Sequence, residues 1–135
     1  MNKGNKEIDI DGIMMISQLA ASYGVKTVKL TGGEPLYRKD IIEIVRSISS
    51  IKSFTEVSMV TNGQFLKEYS KQLRDAGLKR VNVSLPSLNS EKYKRITGGE
   101  IKKVLEGVKE AVKTGLNPVK LNMVLLKGIN DDEVD

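Results

Sequence analysis

The residue run hardest to explain by structure alone is Thr31-Gly32-Gly33-Glu34-Pro35. Paired glycines let a ligand approach the backbone closely, the proline stiffens the turn behind them, and Glu34 offers a carboxylate to an ammonium or hydroxyl group. A carboxylate wedged between glycine and proline argues against a phosphate cradle, and the spacing matches neither the P-loop nor the dinucleotide fingerprint. A ligand with an amino group suits it better. Three further loops follow apolar runs: Val60-Thr61-Asn62-Gly63, Ser84-Leu85-Pro86-Ser87 and Lys127-Gly128-Ile129-Asn130. Asn62-Gly63 also reads as an ordinary turn pair, and Ser87 or Asn89 as a helix cap. Lys29 and Lys120 stand inside apolar runs. On a buried face each needs an anionic partner or a shifted pKa; on an edge, or snorkelling, it needs neither.

The chain has no Cys, His or Trp. It therefore supplies no disulfide, no thiolate or imidazole metal ligand, no cysteine nucleophile and no serine–histidine triad. Lys plus Arg number 22 and Asp plus Glu 17, a net charge of +5. The excess is scattered over presumed helix faces, and aromatics are only 4% of residues, too few for base-stacking platforms, so no nucleic-acid partner is expected. The opening stretch lacks a signal-peptide core and no segment has the length of a membrane span, so the expected location is cytoplasmic, without a membrane partner.

The elements that must position these loops repeat. A first helix starts at Asp9 or Asp11 and carries Ile13, Ile16, Leu19, Ala20 and Tyr23 on one face. A second begins near Asp40 with Ile41, Ile44, Val45, Ile48 and Ile51; a third uses Phe65, Leu66, Tyr69, Leu73 and Ala76. The fourth carries Ile101, Val104, Leu105, Val108, Ala111 and Val112, with a short helical piece before it at Ser90 to Ile96. Three of the helices exit through glycine followed at once by an apolar residue, at Gly24-Val25, Gly77-Leu78 and Gly115-Leu116. Glycine there takes the left-handed cap conformation, and the apolar residue folds back onto the helix. Apolar runs at Thr27 to Thr31, Val57 to Thr61, Val81 to Leu85 and Val119 to Leu126 read as strands covered on both faces. Strand, loop, helix, glycine cap and strand again is the parallel βα repeat. The expected fold is α/β in a single domain over residues 1–135, with about four parallel strands in an open sheet or part of a (β/α)-barrel. Ligands then bind beyond the carboxyl ends of the strands, where the four loops gather.

Six motifs in order sharpen the reading: Lys29-Leu30-Thr31-Gly32-Gly33-Glu34-Pro35-Leu36, Thr61-Asn62-Gly63, Ala76-Gly77-Leu78, Val81-Asn82-Val83-Ser84-Leu85, Ile96-Thr97-Gly98 and Val119-Lys120-Leu121-Asn122. Together they resemble the radical S-adenosylmethionine superfamily. Asn-Val-Ser and Val-Lys-Leu-Asn at these spacings narrow the resemblance to the GTP 3′,8-cyclase family of molybdenum cofactor biosynthesis. The resemblance covers nearly the whole chain and implies a slice of a partial TIM-type barrel. In that family a four-iron cluster cleaves S-adenosylmethionine and the resulting radical abstracts hydrogen from GTP. The likeness implies that Gly32, Gly33 and Glu34 hold the amino end of S-adenosylmethionine and that Ser84 touches the same cofactor. It sets Lys29 where the family has a GTP-contacting Arg, Val60 where it has a GTP-contacting Thr, and Lys120 on a GTP-contacting Lys. A basic pair suits a triphosphate, though Lys29 lacks the bidentate fork of Arg.

The departures bear on activity. The family's CxxxCxxC loop and the ligands of its second cluster have no counterpart here, Pro86 replaces an Asp, and Val60 removes a hydroxyl. Iron–sulfur clusters need thiolates, so this chain alone is expected to hold no metal and to have no catalytic residue for radical chemistry. With strands ending so near Asp135, the sequence reads as a truncated middle part of the barrel. A four-stranded slice leaves two edges and a concave face bare, which predicts a homodimer through an edge or that inner face. Two other readings stand beside the resemblance: a small enzyme using Lys29 or Lys120 as a Schiff-base nucleophile on a carbonyl substrate, and a non-catalytic structural or interaction module.

Overall fold

The computed structural model describes residues 7–134. Helix α1 (Ile10–Ser22) opens on Asp9, whose side chain accepts from the Gly12 N–H at 2.9 Å, which settles which of the two aspartates caps it. Three βα units and a fourth strand follow, in the order β1 (Thr27–Leu30), α2 (Ile41–Ser49), β2 (Glu56–Thr61), α3 (Leu66–Asp75), β3 (Arg80–Ser84), α4 (Ser90–Thr97), α5 (Ile101–Thr114) and β4 (Val119–Asn122). Single 3-10 turns stand at Pro35–Tyr37 and Asp131–Glu133.

All four strands are parallel, and their order in the sheet is their order in the chain, β1-β2-β3-β4. With right-handed crossovers a sequential order puts every helix on the same side, as in a (β/α)-barrel; a doubly wound sheet would reverse direction partway. Val57, Met59, Val81 and Val83 point to the helix side, fully buried against Ile44, Val45 and Ile48 of α2, Leu66 and Leu73 of α3, and Val104 and Ala111 of α5. The alternate positions, Lys29, Ser58, Val60, Asn82, Ser84, Lys120 and Asn122, face the other, concave side. The strands are therefore covered on one face, not two, and this set, polar except for Val60, replaces the all-apolar run expected of a doubly covered sheet.

The glycine exits form as their sequence implies. Gly24, Gly77 and Gly115 have φ of 87°, 107° and 88°, and Val25, Leu78 and Leu116 donate back to Ala20, Leu73 and Ala111 at 3.1, 3.0 and 3.0 Å, closing Schellman motifs. Leu78 and Leu116 are fully buried. Val25 stays exposed at the end of α1, a helix that buries no residue completely and packs chiefly on α2. Strand β4 stops at Asn122, short of the Leu126 that the apolar run suggested. Fully buried Asn130 pulls the chain away there, donating to Pro86 O (2.6 Å) and Val124 O (2.9 Å) and accepting from the Leu126 N–H (2.7 Å).

Candidate functional site

Because the strands are parallel, the loops after β1, β2 and β3 meet at one end of the sheet. There they enclose a cleft of ≈ 360 Å³ lined by Thr31, Gly32, Gly33, Glu34, Val60, Thr61, Asn62 and Ser84. That volume lies in the range of small-molecule sites. The sequence candidates Gly32, Gly33, Glu34, Val60 and Ser84 thus come together, although they are spread over fifty residues of chain.

The glycine pair is open toward the cleft. A Cβ built on Gly32 or Gly33 meets no heavy atom within 4 Å, and Gly32 has φ of 143°, a conformation side-chain-bearing residues rarely adopt. The backbone carbonyls and N–H groups there are bare to an incoming ligand. Glu34 is less free than its sequence context suggested. One carboxylate oxygen accepts from the Thr61 hydroxyl at 2.7 Å and the Leu36 N–H at 3.1 Å; the other accepts from the Asn62 N–H at 2.7 Å. Of roughly four acceptor positions on a carboxylate, three are occupied within the protein, leaving one for a ligand donor. Thr61, itself buried, also accepts from the Gly63 N–H at 3.0 Å, so one hydroxyl links the glutamate to the next loop.

The second loop is fixed by groups with no local signature. Asn62 Oδ1 accepts from the Gln64 N–H at 2.9 Å, the ordinary turn role. The Gln64 amide pairs with Glu100, donating to its carbonyl at 3.2 Å and accepting from its N–H at 3.2 Å, and donates to the Tyr93 hydroxyl at 3.1 Å. At Gly63, φ is 77° and a Cβ would stand 2.9 Å from both Val83 and Val104; at Gly107 of α5 it would stand 2.9 Å from Leu66 and 3.0 Å from the Gly63 carbonyl. These two glycines let α5 press directly onto the loop that floors the cleft. Gly107 escaped the sequence reading because a lone glycine in an amphipathic helix has no sequence mark of what it touches. Asn89 caps α4, accepting from the Glu91 and Lys92 N–H groups at 3.0 and 3.1 Å.

Lys29 and Lys120 lie on the concave face but outside the cleft lining, and both are exposed. Sequence order separates them by three strand spacings across the sheet. A Schiff-base lysine typically works from a desolvated pocket; both of these side chains are exposed. Among the described residues, no group of three or more His, Cys, Asp or Glu side chains is arranged to hold a metal ion, and no helix is long and apolar enough to cross a membrane.

A parallel sheet in sequential order, helices along one face and a glycine-lined cleft at the strand tips define the ligand-binding end of a (β/α)-barrel. Comparison with known proteins narrows the class. The chain belongs to the Radical SAM superfamily, whose sequence model it matches over residues 1–135. It is 47% identical over 130 residues to the GTP 3′,8-cyclase of Listeria monocytogenes, covering 96% of this chain and 39% of that protein. It is 43% identical over 129 residues to the GTP 3′,8-cyclase of Alkaliphilus metalliredigens, covering 95% of this chain and 40% of that one. The chain thus spans well under half the length of these relatives. Among solved structures it resembles that of HydG, a maturase of the FeFe-hydrogenase, with a TM-score of 0.71 at 15% identity over 88% of this chain and 28% of that chain, a likeness of fold.

The superfamily uses S-adenosylmethionine and an iron–sulfur cluster. The cluster does not fit the residues present, since thiolates hold such clusters and the chain contains no cysteine. The nucleoside cofactor does fit: the bare backbone at Gly32 and Gly33 leaves room that a single Cβ would begin to fill.

Proposed function

We propose that this chain forms the part of a GTP 3′,8-cyclase-type radical enzyme that seats S-adenosylmethionine and one side of GTP, its own residues supplying no cluster ligand. The observation that carries the reading is the cleft at the strand tips, with open glycine backbone on one wall and a glutamate locked in place beside it. Gly32 and Gly33 accept the cofactor's ammonium group through their carbonyls, Glu34 uses its remaining acceptor position on the same group, and Ser84 meets the cofactor from β3. Lys29 and Lys120 attract the phosphates of GTP from opposite sides of the concave face, and Val60 gives it an apolar contact. When bound and reductively cleaved, S-adenosylmethionine supplies the radical chemistry of the superfamily; the residues of this chain bind, orient and shield. The names of the relatives support GTP as the substrate.

Calorimetric titration tests this. S-adenosylmethionine is expected to bind the 135-residue chain roughly tenfold or more tightly than 5′-methylthioadenosine, which lacks the amino-acid end. Equal affinity for the two contradicts the assignment of the glycine pair.

The association state belongs to the same reading. Edge strand β4 and the segment after it expose Leu121, Val124 and Leu125, while the concave face is lined by polar side chains. That contrast favours a homodimer through the edge over one through the inner face. Sedimentation showing a compact monomer at high dilution contradicts it.

A further inference from the structure

Below the cleft, on the concave face of β2 and β3, Glu56, Arg80 and Asn82 form a connected row that the ligand contacts above do not use. Arg80 Nε and Nη2 lie 3.0 and 2.9 Å from Glu56 Oε1, and Arg80 Nη1 donates to Asn82 Oδ1 at 3.0 Å. Asn82 is only 9% exposed. A guanidinium has donors and no acceptor, so the oxygen of the amide must face Arg80 and its NH2 group must face away. Among the described residues that NH2 group donates to no protein acceptor. Ser49 Oγ alone among the described residues is a buried side-chain polar atom without a partner, so the Asn82 NH2 group reaches solvent, and the ion pair beneath holds it as a fixed donor for an acceptor brought from outside.

Its position says where that acceptor arrives. Asn82 is in register with Val60 on one side and Lys120 on the other, and Ser84 stands two residues further along the same face. Val60 and Ser84 both line the cleft. The Asn82 NH2 group therefore lies beneath the cleft, next to a lysine on the adjacent strand.

Resting on the nucleotide reading above, we infer that Asn82 is a specificity-determining residue: held by Glu56 and Arg80, it donates its side-chain N–H to an oxygen of the nucleotide that Lys120 attracts. The oxygen belongs to a sugar or base on one side of the ligand, or to a phosphate on the other; the chemistry of acceptance is shared.

The test is calorimetric titration of the 135-residue chain and its N82D and N82L variants with GTP, guanosine and inorganic triphosphate, with S-adenosylmethionine as a control. In N82D the carboxylate still accepts from Arg80, so the melting temperature should hold within about 2 °C while the donor is lost. Both variants are expected to bind GTP roughly tenfold to a hundredfold more weakly than the parent, with S-adenosylmethionine affinity unchanged. The same loss with guanosine locates the acceptor on sugar or base; the same loss with triphosphate locates it on phosphate. Parental GTP affinity in both variants overturns the inference and leaves the nucleotide reading intact. A loss in N82D alone also overturns it, since added negative charge then explains the effect. A parent chain that binds neither GTP nor S-adenosylmethionine overturns the nucleotide reading and this inference with it.

Discussion

The Thr61 hydroxyl stands 2.7 Å from Glu34 Oε1, tying the end of β2 to the loop that follows β1. The neighbouring Asn62 N–H takes the other oxygen at 2.7 Å. A carboxylate shared this way is a strut before it is a ligand: the glycine pair keeps its shape because the residue next to it is bolted to the adjoining strand.

Removing either partner should loosen that loop. Thr61→Val keeps shape but deletes the hydroxyl that also receives the Gly63 N–H, and is expected to cost about 1–2 kcal/mol in urea denaturation. Glu34→Gln retains one acceptor oxygen and turns an NH2 group toward a donor, and is expected to cost about 1–3 kcal/mol. Faster amide exchange at Asn62 in both variants, with rates in α5 unchanged, is the accompanying signature.

Two glycines with nearly the same φ should respond differently to alanine. Gly98 has φ of 73° and open space where its Cβ would go; Gly63 has φ of 77° and two valine methyls at 2.9 Å. Gly98→Ala should cost only the backbone term, about 1–2 kcal/mol. Gly63→Ala should cost a further ~1–3 kcal/mol from overpacking against Val83 and Val104. Equal losses in a denaturant series would contradict the close approach of α5 to this loop.

The 3-10 turn Asp131–Glu133 is held by charge and should release in acid. A hydrogen bond from Lys92, 2.6 Å away, holds the Asp132 carboxyl below its ordinary value. The Ser87 hydroxyl at 2.7 Å, and then the Leu88 N–H at 2.8 Å, do the same for Glu133. Carboxylates whose folded pKa is depressed stabilise fully above the ordinary carboxylate range, and that contribution disappears as pH falls through the depressed values. Protection of the Leu88 amide is therefore expected to be constant near neutrality and to fall in acid. Glu133→Gln should remove most of that dependence at Leu88.

Asn130→Ala tests the corner that ends β4. It leaves the Pro86 and Val124 carbonyls and the Leu126 N–H without their shared partner and is expected to cost about 2–4 kcal/mol by thermal or chemical denaturation.

Much of the scaffold could be read in advance because its causes are local. Helical spacing marked Ile41, Ile44, Val45 and Ile48 as one buried face, and Gly77-Leu78 and Gly115-Leu116 announced caps that the backbone forms. The glycine pair, Val60 and Ser84 were foreseeable as neighbours because parallel strands carry their following loops to one end. What the sequence did not disclose depends on partners far along the chain. Glu34 reads as a ligand group until Thr61, 27 residues later, is seen to hold it. Val119 to Leu126 reads as one strand until Asn130 draws the chain toward Pro86. Lys29 and Lys120 are exposed because every helix packs on the other face, a consequence of strand order that no single apolar run reveals.

The most direct test of the central claim, that the cleft beside Gly32 and Gly33 receives the amino-acid end of S-adenosylmethionine, is a titration of the isotope-labelled chain followed by amide resonances. Saturable shifts are expected at Gly32, Gly33, Asn62 and Ser84, and none at Gly98 or Gly128, which lie outside the cleft. Saturable shifts confined to residues away from the cleft, or none at all up to millimolar ligand, would contradict it.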